Sequence, residues 1–140
     1  MVEVQVVYEG ALHSECRHGP SGASLATDAP VDNHGKGESF SPTDLVATGL
    51  GTCMLTVMGI VAERHGWPLV GTTVRVEKHM AMEPVRRIGR LVVELRFPSG
   101  IPGEAREILE RTAHTCPVRQ SLHPDIDVDV SFTWGGLEES

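Results

Sequence analysis

A long uncharged segment in the middle of the chain constrains the fold more than any other feature. No Asp, Glu, Lys or Arg occurs between Leu45 and Ala62, and Asp44 and Glu63 bound this segment. Its length reaches the lower limit for a membrane-spanning helix, but three glycines and three threonines reduce its hydrophobicity. We therefore interpret it as the buried central helix of a soluble domain and expect no membrane association.

The two ends of this helix carry start and stop patterns. Ser41-Pro42-Thr43-Asp44 provides a capping side chain, a proline at the first helical position and an acid in the first turn. His65-Gly66-Trp67-Pro68 provides a glycine and a trailing proline, which are typical of a helix end. The sequence thus predicts one helix from about residue 41 to residue 65.

The remaining segments predict strands and two further helices. Alternating apolar residues indicate strands, and apolar residues at helical spacing indicate an amphipathic helix, followed by a short helix. The strands are expected at 2–8, 12–18, 23–28, 70–78, 91–97 and 126–132, and the helices at 102–115 and 117–122. The predicted order is β-β-β-α-β-β-α-β, an α+β fold in a single domain of residues 1–134 with a polar tail at 135–140.

Composition excludes several classes of function. The chain has 140 residues and a formal net charge of −7, and it lacks the concentrated basic face that binding to nucleic acid requires. The first residues alternate like a strand and have no basic region, so we expect no signal peptide and a cytoplasmic protein. Three cysteines cannot form a fully paired disulfide framework within one chain.

Cys53 and Cys116 are the candidate reactive residues. Cys53 lies inside the long helix, and Cys116 directly precedes a proline that indicates a helix start. A thiol at a helix N-terminus is expected to have a lowered pKa. A pair of thiols in helical settings such as these can act as an attacking and a resolving cysteine. Buried cysteines also serve as small apolar residues.

Metal binding and a bound cofactor are not expected. His13, Cys16 and His18 form one group of possible metal ligands, and a second group surrounds Cys116, but neither has the spacing of a structural zinc site. Cys16 is interpreted as a packing residue in its strand.

The two cysteine segments resemble motifs of the OsmC/Ohr family of small thiol-dependent peroxidases. The segment from Ser41 to Cys53 is similar to the family's first cysteine helix, and His114-Thr-Cys116-Pro-Val is similar to its second motif, at a separation that also fits the family. The resemblance implies antiparallel sheets packed around a long central helix, in an intertwined homodimer with active sites at the subunit interface. It also implies that Cys53 attacks a small hydrophobic organic hydroperoxide and that Cys116 resolves the product as a disulfide. A dithiol, such as a lipoyl group or a thioredoxin-like protein, would restore both thiols.

The family also uses an arginine and an acidic residue beside the attacking thiol. Arg17 is the only arginine before Arg64, so the resemblance implies that it favours the thiolate. The family's acid directly follows the proline, where this chain has Thr43. Asp44, one residue later, and Glu38 in the preceding loop are the two candidate replacements, and Asp44 is also explained as a helix cap.

The departure at Thr43 supports a second interpretation. The chain could be a binding protein of the same fold that holds a small hydrophobic or thiol-reactive ligand without turnover. The cysteine pair favours the enzyme, and the missing acid favours the binding protein.

Overall fold

Residues 1–135 are described by a computed structural model of the chain. The chain divides into two compact units, Met1–Val46 and Ala47–Ser140. Gly135, the first residue of the predicted tail, is buried, and residues 136–140 lie outside the described residues. A Cβ atom at Gly135 would lie 2.5 Å from the carbonyl oxygen of Phe97, so the backbone approaches its neighbour closely there.

The first unit contains a three-stranded antiparallel sheet. Its strands are β1 (Val4–Gly10), β2 (His13–His18) and β3 (Ser24–Asp28), in the order β1-β2-β3. The register between β1 and β2 shifts between Tyr8 and Gly10, where a bulge is formed. A loop with a short 3₁₀ turn at Val31–Asn33 follows β3.

The long helix α1 (Pro42–His65) forms as the sequence predicts. At its start, the Ser41 hydroxyl accepts the N–H of Asp44, and the Asp44 carboxylate accepts the N–H of Ser41. This reciprocal pair is a capping box, and it satisfies backbone donors that a helix start leaves free. At its end, Trp67 N–H donates to the Ala62 carbonyl and Gly66 has φ of 71°, which is a glycine cap.

The second unit contains a mixed sheet and two short helices. Strands β4 (Thr73–Ala81) and β5 (Arg87–Phe97) are antiparallel, whereas β6 (Asp127–Trp134) runs parallel to β5. Helices α2 (Gly103–Ala113) and α3 (Pro117–Ser121) connect β5 to β6 and supply the crossover that a parallel pair requires. The α+β class and the element order are confirmed, but the second sheet is not purely antiparallel as expected.

The core of the second unit joins α1, β5 and α2. Apolar side chains from all three elements are fully buried there, as is Cys116, which precedes α3. They include Leu50, Met54 and Met58 from α1, Leu91, Val93 and Leu95 from β5, and Ala105 and Leu109 from α2. The alternation of buried and less buried residues along β5 matches the alternation that predicted the strand.

Among the described residues, α1 is long and apolar enough to cross a membrane by length and composition alone. About 33% of its most apolar window is buried. Gly51 lies on a packed side of the helix, where an added Cβ would be 3.1 Å from a methyl group of Val76, whereas Gly49 and Gly59 have nothing within 4 Å. One side of α1 therefore packs on the second sheet, whereas the helix surface at Gly49 and Gly59 has no close neighbour among residues 1–135.

Candidate thiol site

Cys53 lies near the middle of α1, on the helix that carries the core residues Leu50, Met54 and Met58. Its side chain is half-buried and packs against the core of the second unit. A helix interior fixes the position of a side chain with little freedom, so the thiol is held at a defined place. Its partial exposure leaves it accessible to a small molecule.

Cys116 is the capping residue of α3 and is fully buried. Its Sγ accepts the backbone N–H of Arg119 at 3.3 Å, and Pro117 follows at the first helical position. The sequence prediction that Cys116 opens a helix is confirmed. The thiol occupies the position that a serine or aspartate side chain takes at other helix starts.

The two thiols lie close to each other in the second unit. The half-buried Cys53 packs against the buried cluster that contains Cys116, and the neighbouring Cys53 thiol raises the pKa of Cys116. All three cysteines, including Cys16, are free thiols. One half-buried and one fully buried thiol are thus brought together from distant positions in the sequence. A disulfide requires Cα atoms within about 7 Å of each other, and the proximity of Cys53 to Cys116 makes this pair the candidate for one.

The pKa of Cys116 is raised, contrary to the expectation from its helix N-terminal position. Burial is the main cause, because it penalises the charged thiolate. The N–H of Arg119 acts in the opposite direction, and the interaction with Cys53 raises the pKa further. The short helix α3 supplies a smaller stabilisation of charge than full burial removes.

This arrangement divides the chemistry between the two sulfurs. A thiol with a raised pKa keeps its proton at neutral pH and is therefore a hydrogen-bond donor. Cys116 is thus the protonated thiol of the pair, and Cys53 is the sulfur-bearing side chain that is more exposed to solvent.

Arg17 is an exposed residue of β2 in the first unit, paired in register with Gln5 and Ser24. Together with Cys16 and neighbouring strand residues, it lines a small cavity of about 210 Å³. Within residues 1–135, neither Asp44 nor Glu38 forms an ion pair with Arg17. Its role beside Cys53 remains a prediction from the family resemblance.

Asp44 and Glu38 line the same open cavity of about 410 Å³ in the first unit. One carboxylate oxygen of Asp44 is engaged at 2.9 Å by the N–H of Ser41 in the capping box. Thr43, at the position of the family's acid, has its hydroxyl 3.2 Å from that of Ser41. Asp44 therefore acts as a helix cap, which is one of the roles that the sequence suggested for it.

The second unit also has an apolar cavity that the sequence did not indicate. It measures about 330 Å³ and lies at the C-terminal half of α1, between that helix and the segment that leads into β4. Leu55, Trp67 and Leu69 contribute to its walls, and Cys53 is not among its lining residues. The Trp67 side chain stacks on His65 at 4.2 Å. It is partly buried and packs against the core of the second unit.

Comparison with known proteins decides the family. The sequence profile described as OsmC-like protein matches residues 35–131, which include both cysteines. The chain belongs to this OsmC-like family. The recognition that the two cysteine motifs suggested is confirmed.

Solved structures and a curated relative agree with this assignment to the OsmC-like family. A Psychrobacter arcticus protein, named for a proposed role in osmotic stress and detoxification, is 44% identical, with a TM-score of 0.89. That match covers 94% of this chain and 96% of the other. An organic hydroperoxide resistance protein OsmC from Legionella pneumophila is 18% identical with a TM-score of 0.75 over 95% and 96% of the two chains, which shows the shared fold. An uncharacterised protein of Acinetobacter baylyi is 26% identical, over 89% of this chain and 92% of its own length.

Proposed function

We propose that this protein is a thiol-dependent peroxidase that reduces small hydrophobic organic hydroperoxides. The observation that carries the proposal is the packing of a half-buried thiol, Cys53, against the buried cluster that contains a fully buried thiol, Cys116. A peroxide reaches the first sulfur more easily than the second, so Cys53 is the attacking residue and Cys116 the resolving residue. The relationship to organic hydroperoxide resistance proteins of the same fold supports the choice of substrate class.

The proposed cycle has three steps and balances without a metal or a bound cofactor. The Cys53 thiolate attacks the distal peroxide oxygen, the O–O bond breaks, and the alkoxide takes up a proton and leaves as an alcohol. Cys53 is now a sulfenic acid. Cys116 attacks its sulfur, a disulfide forms, and the hydroxyl group leaves with the Cys116 proton as water. An external dithiol, a lipoyl group or a thioredoxin-like protein, reduces the disulfide and is itself oxidised.

Arg17 is proposed to favour the Cys53 thiolate, with Glu38 or Asp44 as its acidic partner. A guanidinium stabilises an adjacent thiolate and can orient a peroxide oxygen through planar N–H donors. Arg17 is exposed and has no ion-pair partner among the described residues of its own chain. Its guanidinium is therefore available for such an interaction.

A homodimer is proposed as the working form, in the cytoplasm. Only about 33% of the apolar window of α1 is buried, and the β1 side chains of Val4, Val6 and Tyr8 are each more than half exposed. Apolar surface of this extent on one small chain is typical of an interface. A second copy of the chain is the partner that the family resemblance implies.

Peroxide consumption measured with matched cysteine variants tests the proposed activity. Native protein and the Cys16→Ser variant are expected to consume cumene hydroperoxide in the presence of dihydrolipoamide. Cys53→Ser is expected to lose nearly all of the rate, because the attacking sulfur is gone. A Cys53→Ser variant that retains the native rate would overturn the assignment.

The alternative function is a binding protein without turnover. It is favoured by Thr43 at the position of the family's acid and by the use of Asp44 in the capping box. This alternative predicts that native protein binds a hydrophobic hydroperoxide or its alcohol in calorimetry but consumes none with a dithiol present. It also predicts that Thr43→Glu increases the rate of peroxide consumption.

A further inference from the structure

A second group of metal-binding side chains lies in the first unit and is not part of the thiol site. Glu9, His13 and Glu15 place one donor atom each within 4.8 Å of the others. The group combines one imidazole nitrogen with two carboxylate oxygens, and all three side chains are partly or fully exposed. A dissolved ion can therefore reach them.

The backbone of β1 and β2 brings these three residues together. His13 and Glu15 are two apart on β2, so their side chains point to the same face of the sheet. Glu9 is the extra residue of the bulge, since Tyr8 pairs with Ser14 and Gly10 pairs with His13. A bulge sets two residues against one and redirects a side chain. Here it brings the Glu9 carboxylate to 3.5 Å from Nε2 of His13.

Asp28 on β3 orients the His13 ring from the other side. Its carboxylate lies 2.6 Å from Nδ1 of His13, and Asp28 is 4% exposed. A carboxylate accepts hydrogen bonds, so the ring proton belongs on Nδ1 and the lone pair of a neutral ring lies on Nε2. Nε2 of His13 lies 3.5 Å from the Glu9 oxygen, which is also an acceptor, so a cation held between the two atoms would be stabilised by both.

We propose that Glu9, His13 and Glu15 form a binding site for a divalent transition-metal ion, with Asp28 as the residue that orients the histidine. A carboxylate that fixes the tautomer of a ligating histidine is a common feature of metal sites. Donors on one ion lie at most about 4.2 Å apart, twice a bond of about 2.1 Å, so the exposed glutamates need only small rotations. One nitrogen and two carboxylates suit Zn²⁺, Mn²⁺ or Co²⁺ and leave positions for water.

A proton is the alternative occupant of the same position. Asp28, followed by the charges of Glu9 and Glu15, raises the pKa of His13. A metal ion therefore competes with a proton, and its affinity rises with pH. Binding should be measured at pH 8, where this competition is weak.

Cobalt titration followed by absorption spectroscopy tests the site. Native protein is expected to bind Co²⁺ with visible d–d bands and without a sulfur-to-cobalt charge-transfer band, because the ligands are nitrogen and oxygen. His13→Gln and Glu15→Gln are each expected to weaken binding at least tenfold. His18→Gln is the matched control, since His18 is an exposed histidine of β2 that contacts Ser21 and should leave the affinity unchanged.

A variant of Asp28 separates the orienting residue from the ligands. Asp28→Asn keeps all three donors and is expected to weaken binding about 10- to 100-fold. Circular dichroism of each variant checks that the fold is retained. Absence of binding at millimolar Co²⁺, a charge-transfer band that shows thiolate ligation, or an equal loss in His18→Gln would each overturn the proposal.

Discussion

At the scale of single residues, Cys116 shows why sequence position alone does not determine reactivity. The proline after it correctly predicted a helix start, and its sulfur does accept a backbone N–H there. The same pattern predicted a lowered pKa, and that prediction was wrong, because the residue is fully buried. Burial depends on how the core cluster of the second unit packs around the thiol, which no local motif specifies.

The raised pKa of Cys116 predicts a specific dependence of stability on pH. The folded chain holds this proton more tightly than the unfolded chain, which releases it first as the pH rises past the ordinary value of a thiol. The free energy of unfolding should therefore fall in that range. Urea denaturation between pH 7 and 10 should show a shallower fall for Cys116→Ala than for native protein, while Cys16→Ala keeps the native slope. Equal slopes in all three proteins would contradict the raised pKa.

Asp44 permits a test that separates capping from catalysis. Its carboxylate accepts the Ser41 N–H, so Asp44→Ala should lower the free energy of unfolding by about 1 kcal/mol. If capping is its whole contribution, the peroxide rate per folded molecule should stay within twofold of native. Thr43→Ala is the control for loss of a neighbouring side chain. A rate that falls more than tenfold with unchanged stability would assign Asp44 to the reaction instead.

At the scale of secondary structure, periodicity and end patterns predicted most elements correctly. The helix α1 runs from Pro42 to His65, where the capping residues and the glycine stop placed it. The strand pairing was harder to predict, because β6 could join either edge of a sheet in either direction. Its parallel pairing with β5 follows from the crossover through α2 and α3, a tertiary arrangement.

Gly66 gives a prediction at this scale. It ends α1 with φ of 71° and has nothing within 4 Å of the position of a Cβ, so a side chain there meets backbone strain and no steric clash. Gly66→Ala should lower the free energy of unfolding by about 1 kcal/mol. Gly103→Ala is the control, since Gly103 begins α2 without a positive φ and is also unobstructed. Equal effects of the two substitutions in urea denaturation would contradict this account of the helix end.

At the scale of the whole molecule, the sequence motifs predicted the family and the cysteine pair, and less of what surrounds them. The proximity of the two thiols could be anticipated because two widely separated motifs resembled one family pattern. The cluster around His13 could not, since it depends on a bulge at Glu9 and on a buried carboxylate from another strand. A motif is recognised from residues that are neighbours in the sequence. A cluster such as this one depends instead on which residues pair across adjacent strands.

The proposed homodimer predicts that the exposed apolar side chains of β1 and α1 are covered in solution. Light scattering should give twice the mass of one chain at micromolar concentration. Val6→Lys and Ile60→Lys, at positions 60% and 47% exposed, should shift the mass toward one chain, because a buried lysine is unfavourable. Ser131→Lys, at an exposed position of β6, should leave the measured mass unchanged. A native monomer at this concentration would argue against a site shared between subunits.

Arg17 supplies the sharpest prediction at this scale, because the proposed mechanism needs its guanidinium to act on the Cys53 thiolate. Arg17→Ala should slow the reaction of Cys53 with hydroperoxide more than tenfold, since the thiolate loses a neighbouring positive charge. Stability should change little, because Arg17 is exposed. Arg17→Lys should restore little of the rate, because an ammonium group lacks the planar donors of a guanidinium. Stopped-flow measurement of sulfenic acid formation reports this step directly, with Arg75→Ala as the matched control at an exposed strand position of the second unit. A native rate in Arg17→Ala would remove Arg17 from the mechanism and favour the binding protein.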